Sequence, residues 1–182
     1  WNQIMSFTNQ KIVLSRRPDG LPKTGDFELV EEPAGEPGEG EVLVAVEHLG
    51  IDAFIATTLD HDGLHGQSGL REPVIALGTG RVVKSQSDLL QPGDKVIGGM
   101  GAQTYRIEEA SKLRKIDTSQ VPARAYLGLL GMTTGLTAYA GMILVGEVQE
   151  GDTVAVSGAA GAVGTVACQL AKIRGAKVIG IA

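Results

Sequence analysis

Thr153–Ala182 reads T-V-A-V-S-G-A-A-G-A-V-G-T-V-A-C-Q-L-A-K-I-R-G-A-K-V-I-G-I-A. Thr153–Ser157 is a short apolar run that predicts a strand. Gly158–Gly164 is a glycine-rich turn. Ala162–Ile173 predicts a helix, because Val163, Val166, Leu170 and Ile173 recur at helical spacing on one face. Gly175 ends it, with Lys172 and Arg174 in the last turn where the helix dipole favours cations. Lys177–Ala182 predicts a second apolar strand. Strand, glycine turn, helix and strand within about 30 residues form one βαβ unit.

The turn repeats glycine every third residue, at Gly158, Gly161 and Gly164. A glycine turn between a strand and a helix is the context in which G-x-G-x-x-G binds a dinucleotide. On that pattern Gly161 and Gly164 take the second and third glycine roles, and Ala159 stands where the first would be. Gly161 lets the backbone approach a pyrophosphate, and Gly164 lets the helix pack on its strand. The helix N-terminus offers N–H groups and a partial positive charge to the phosphates. Ala160, Gly161, Ala162, Val163 and Gly164 are therefore the candidate cofactor-binding residues of the turn. A glycine turn with no ligand is the plain alternative.

Working outward, the residues before Pro122 are rich in short strands and loops. Lys11–Ser15, Phe27–Glu31, Glu41–His48 and Val74–Val83 read as strands, and Gln91–Gly98 as a turn feeding another. Gly78 and Gly80 inside a strand suggest a bulge or a barrel corner. Short strands joined by turns about every ten residues suggest a small barrel or sandwich. Past Pro122, Ala123–Leu130 and Thr134–Val145 read as helices. Two domains follow, 1–122 and 123–182, with no internal repeat.

Composition narrows the function. The chain has 182 residues, 43% apolar and 20% charged, which suits a folded globular protein. Its net charge of −5 offers no field for nucleic acid or an anionic membrane. Its one cysteine, Cys168, forms no internal disulfide and builds no cysteine-rich zinc site. A reducing cytoplasm is the expected compartment, and Cys168, mid-helix, reads as an inert core thiol. Asp60, His61, Asp62 and His65 have metal-ligand chemistry, but a solvated loop explains them without a metal. No metal is expected.

V-A-V-S-G-A-A-G-A-V-G from Val154, preceded by G-L-T-A-Y at Gly135–Tyr139, resembles the zinc-free medium-chain dehydrogenase/reductase superfamily. The nearest likeness is to its prostaglandin reductase and curcumin reductase group. E-P-G-E-G-E-V-L-V-A-V at Glu36–Val46, L-G-I-D-A-F-I-A at Leu49–Ala56, Q-P-G-D-K-V-I-G at Gln91–Gly98 and L-G-L-L-G-M at Leu127–Met132 fit in order. The resemblance implies a mixed α/β fold: a GroES-like β-barrel catalytic domain followed by the first βαβ unit of a Rossmann domain. It implies NADP (NADPH) as cofactor, a small-molecule substrate and a homodimer. The implied activity is reduction of activated C=C bonds in enones, enals or quinones.

In relatives, Thr137 and Tyr139 border the nicotinamide; a packing tyrosine is the alternative for Tyr139. Asp52 either lines the cleft or caps the helix beginning near Ala53. Asp52, Phe54 and Tyr139 are the candidate catalytic residues, and Thr137 joins the cofactor set. This chain departs from the family at several points. The family's Pro-Tyr-Met-Arg reads Ala53-Phe54-Ile55-Ala56, and Gly-Trp reads Gly101-Ala102. G-M-P-G-L-T-A-Y becomes G-M-T-T-G-L-T-A-Y, one residue longer at Thr133–Thr134. These losses motivate a second reading, a nucleotide-binding module without turnover. A zinc alcohol dehydrogenase is a third, which the single cysteine and the lack of a G-H-E motif oppose. The resemblance also implies that these 182 residues, about half of a family member, are not a working reductase alone.

Overall fold

The computed structural model describes residues 7–60 and 66–182. It divides into two compact units, Trp1–Ala123 and Arg124–Ala182.

In the first unit the described residues form a five-stranded antiparallel sheet and a two-stranded one. β1 (Thr8–Leu14) pairs with β2 (Phe27–Pro33). The larger sheet runs β6 (Tyr105–Glu109), β3 (Glu41–Leu49), β4 (Leu77–Ser85), β5 (Lys95–Gly99), β7 (Arg114–Lys115). β3 is central, and its Val42, Leu43 and Val44 are fully buried, as a strand apolar on both faces requires. Val42 and Val44 join Val82, Leu90, Val96, Met100, Ala110 and Leu113 in the core. The pairing of β3 with β4 shifts register at Leu43/Val44 and Val46/His48. Gly80 makes this possible, since a Cβ there would stand 2.5 Å from the Ala45 carbonyl oxygen. β1 is laced to the sheet at Ala102 and Thr104 through the bonds Ile12 N–H to Ala102 O (2.8 Å) and Thr104 N–H to Gln10 O (3.0 Å). These antiparallel sheets joined by short turns are in keeping with the β-rich first domain that the resemblance implied. The strand expected over Val74–Val83 begins instead at Leu77, because Val74 is taken by β1 and Ala102.

A short helix, α1 (Phe54–Thr58), follows β3. Ile55 and Leu59 pack with Leu14, Val74, Phe27 and Ala102 in a second cluster.

The second unit holds β8 (Thr153–Ser157), α3 (Ala162–Ile173) and β9 (Lys177–Ile181). β8 and β9 are parallel and in register from Thr153↔Lys177 to Ser157↔Ile181. Two corrections apply to α3. Ile173, expected on the buried face, is 79% exposed, while Val166, Ala167 and Ala171 are buried. At about 100° per residue, Ile173 falls on the rim of the arc centred on Val163 and Leu170, in the helix's last position. Cys168 is only half-buried. The helix expected over Ala123–Leu130 is a 3₁₀ turn, Ala123–Tyr126, followed by hydrogen-bonded turns at Gly128 and Gly131. Downstream, α2 (Thr137–Tyr139) lies between two wide helical segments, Met132–Leu136 and Ala140–Val145.

Candidate nucleotide site

β8 delivers the chain to the turn and α3 carries it away. Gly158 turns the corner with φ of +59°, in the left-handed region that favours glycine. The tight-turn role assigned to position 159 therefore belongs to Gly158, and Ala159 instead donates its N–H to Ile181 O at 3.0 Å. The three-residue spacing carried that signal. The turn closes with Gly161 N–H on Gly158 O at 2.9 Å. Gly161 is the N-cap of α3 in extended backbone (φ −76°, ψ 172°), with no side chain capping the helix. Thr165 N–H returns to Gly161 O at 2.9 Å. The N–H groups of Ala162, Val163 and Gly164 begin the helix, where α-helical geometry provides no intrahelical acceptor.

Gly161 and Gly164 differ in what surrounds them. A Cβ on Gly164 would lie 2.1 Å from Gly158 O and 2.9 Å from Ala159 Cα, inside the fold of the turn. A Cβ on Gly161 would meet only Gly158 O, at 3.1 Å, and one on Gly158 would meet nothing within 4 Å. Ala160, Gly161 and Ala162 are exposed and Val163 and Gly164 half-buried. The turn is thus an open surface carrying nothing larger than a methyl group at Ala160–Ala162, with the start of α3 packed tightly on Gly158 and Ala159.

α2 packs on α3 through Ala138, which is 2% exposed and contacts the Val166–Ala167 cluster. Thr137 and Tyr139 flank it. Residues two apart on a helix do not share a face. Both are exposed, Tyr139 to 44%, and they leave α2 on opposite sides of the Ala138 contact. The Thr137 hydroxyl donates to Met132 O at 3.3 Å.

In the first unit, Asp52 and Phe54 are half-buried at the start of α1. The N-cap residue is Ala53, without a capping side chain, and the Asp52 carbonyl accepts Ile55 N–H at 3.1 Å. The end of α1 is pinned by two buried hydroxyls, with Thr58 Oγ1 and Ser68 Oγ 3.0 Å apart. Ser68 N–H donates to Thr58 O at 2.8 Å, and Ser68 Oγ accepts Ile75 N–H at 3.2 Å.

Arg106 and Glu108 were not anticipated. They stand opposite Val44 and Val42 in the register of β6 on β3, so they share the core face of the sheet. Arg106 Nη2 lies 2.6 Å from Glu108 Oε2. Burial pushes the Glu108 carboxyl up, but the Arg106 hydrogen bond and charge outweigh it and hold the group below its ordinary value. The pair lines an open cavity of about 500 Å³ with Pro73, Ile75, Ala76 and Gly101. Only the alternation of 106 and 108 signalled this, and it does not say which face is inside.

Among the described residues no three His, Cys, Asp or Glu side chains are grouped to hold a metal. His61, Asp62 and His65 lie outside the described residues. No helix among the described residues is long and apolar enough to cross a membrane.

The family described as the N-terminal domain of oxidoreductase matches residues 10–116. A Bacillus subtilis protein that carries the name "Putative NADP-dependent oxidoreductase YfmJ" is 44% identical over 178 residues, covering 98% of this chain and 52% of the relative. The NADPH-dependent curcumin reductase of Escherichia coli is 36% identical, over 96% of this chain and 50% of its own. The crystal structure of CurA from Vibrio vulnificus in complex with NADPH superposes with a TM-score of 0.83 at 31% identity, covering 94% of this chain and 51% of that one. The chain spans about half the length of the curated relatives it matches. With the sheet of the first unit, the βαβ of the second and these likenesses in hand, the chain belongs to the medium-chain dehydrogenase/reductase family.

Proposed function

We propose that the whole protein is an NADPH-dependent oxidoreductase that reduces activated C=C bonds of enones, enals or quinones. The observation that carries this is the Gly158–Gly164 turn at the N-terminus of α3. Its open glycine surface fits a dinucleotide pyrophosphate: a Cβ at Gly161 would fill the cradle, and Ala162, Val163 and Gly164 present helix N-terminal N–H groups. Bound NADPH supplies a hydride. The protein's task is to hold and orient the reactants and to exclude competing chemistry. In this reading Thr137 and Tyr139 line the nicotinamide, and Asp52 and Phe54 line the substrate. Hydride addition to the β-carbon leaves negative charge on the carbonyl oxygen, where hydrogen-bond donors contribute most. Phe54 carries no donor, so the proton would have to come from another source, such as water or a hydroxyl of the bound cofactor. The names of the NADP-dependent relatives, curcumin and alkenal reductases among them, support the cofactor and the reaction type. A homodimer in the cytoplasm completes the proposal.

The test is a steady-state assay of the full-length protein. NADPH oxidation with enones or quinones, and little alcohol oxidation, is expected. Primary alcohols as the better substrates would contradict the proposal.

A further inference from the structure

We infer that Glu47, the extra residue of a β-bulge near the end of β3, is a positioning residue that sets the face and the reach with which β3 hands the chain to Asp52 and Phe54. The inference rests on the substrate-facing reading of those two side chains.

β3 pairs with β4 as Val46↔Gly80 and then as His48↔Thr79. Glu47 and His48 thus oppose one residue of β4, which is a β-bulge. Val42 and Val44 belong to the core, and Val46 and Leu49 pack against it. A regular strand alternates faces, which would give 42, 44 and 46 one face and 49 the other. Leu49 returns to the core face because Glu47 and His48 both turn to the opposite one. There Glu47 meets Lys95 and Arg81, and His48 Nδ1 lies 3.3 Å from the hydroxyl of buried Thr79. Thr79 and Arg81 flank Gly80, the partner of Val46, so they share that opposite face.

The chain is pinned on both sides of Glu47. Before it, Val46 N–H donates to Thr104 O at 2.9 Å. After it, Gly50 N–H donates to Leu77 O at 2.9 Å, and a Cβ on Gly78 would stand 2.9 Å from His48 O, so the backbones are close. The Glu47 carboxylate is itself clamped, with Lys95 Nζ 2.6 and 2.7 Å from its two oxygens. Lys95 stands directly opposite Arg81 on the neighbouring strand. Like charges so placed repel, and Glu47 supplies the anion that both approach. The last of these sheet bonds, at Gly50, is two residues from Asp52, so the offset passes straight into the start of α1. Bulges of this kind occur next to active sites, where they re-aim a side chain. Without Glu47, alternation would put His48 on the core face and draw the Asp52–Phe54 segment back by one residue, about 3.3 Å.

The experiment deletes Glu47 in the full-length protein. Steady-state kinetics with an enone are read beside fluorescence titration with NADPH and a thermal melt. The glycine turn lies in the second unit and is untouched, so Kd for NADPH should stay within about threefold. A displacement of about 1 Å can cost roughly a hundredfold in rate, so kcat/KM for the enone should fall by about that factor or more. A cooperatively melting deletion variant with enone kcat/KM within tenfold of wild type overturns the inference. If the deletion does not melt cooperatively, the clamp decides. Lys95→Met should lower enone kcat/KM threefold or more at unchanged NADPH affinity, and Lys95→Arg should stay within twofold of wild type. Equal values for the two overturn the inference. Asp52→Asn and Phe54→Leu separate the two claims. If neither alters enone kcat or KM, the substrate-facing reading itself falls. If they lower kcat/KM and the Glu47 and Lys95 variants do not, only the positioning role falls.

Discussion

Gly161 and Gly164 should separate folding from cofactor binding. A Cβ at 164 meets backbone on two sides, 2.1 Å from Gly158 O and 2.8 Å from Gly158 C. Neither atom is the end of a flexible side chain, so Gly164→Ala must push α3 off the turn. Overpacking of this kind costs about 1–3 kcal/mol, and contacts this short belong at the upper end. For a unit of this size, about 2–3 kcal/mol lowers Tm by on the order of 10 °C or more. At 161 the backbone is extended and ordinary, and a Cβ has one contact to relieve, at 3.1 Å. Gly161→Val should cost about 1 kcal/mol, chiefly for the poorer N-cap. Its branched side chain, however, occupies the pyrophosphate cradle. The assay is fluorescence titration of the full-length protein with NADPH, beside a thermal melt. Gly161→Val should melt within a few degrees of wild type and show no saturable binding. Gly164→Ala should melt early. Normal NADPH binding by Gly161→Val, or a wild-type melt for Gly164→Ala, would refute the reasoning.

Other outcomes follow from the first unit. Thr58→Val leaves the buried Ser68 hydroxyl short of a partner and should cost about 1–3 kcal/mol by denaturant titration, with Thr58→Ser restoring most of it; a Val variant as stable as wild type would remove the hydroxyl pair's role. Asp26 is held below the ordinary aspartate range by the Arg16 side chain at 2.7 Å and by Lys23 N–H at 2.8 Å. A lowered carboxyl adds stability above its unfolded value, about pH 3.9, and loses it as pH falls through the folded value. Arg16→Ala should therefore move the acid-unfolding midpoint to higher pH, and an unchanged midpoint would count against the bond. Metal analysis of purified protein should find no stoichiometric zinc, whereas one tightly held zinc per chain would overturn that expectation.

The βαβ was legible because its signals are local: β8 and α3 run over the residues that sequence spacing picked out. Ile173 went astray because period alone does not say where the partner surface stops. Thr134–Val145 read as helix, but helical spacing does not distinguish a bond to the fourth carbonyl from one to the fifth. Gly158 lies one residue before the template's first-glycine position, so only its backbone angle (φ +59°) marks it as the turn residue. The Arg106–Glu108 pair was out of reach because its side of the sheet is set by β3, over 60 positions away in the chain. Asp52 and Phe54 are candidates through family likeness alone. Nothing in their spacing distinguishes a substrate contact from a helix start.

The lacing of β1 also sets a timetable for synthesis. Asn9 Nδ2 bonds Gln103 Oε1 at 3.0 Å, and Asn9 Oδ1 accepts Tyr105 N–H at 2.9 Å, partners more than ninety residues apart. Asn9 leaves the ribosome early, yet its carboxamide has no native acceptor or donor until Gln103 and Tyr105 emerge. At about 5–20 residues per second that is a wait of roughly 5–20 s. Until Arg71–Val74 emerge to bond Ile12 and Leu14, β1 and β2 form at most an isolated hairpin, which is marginal in water. The Asn9 end of β1 is thus made long before its carboxamide is secured. Chains stalled before Gln103 should hold the Asn9 end of β1 open to protease, and chains stalled well beyond Tyr105 should not.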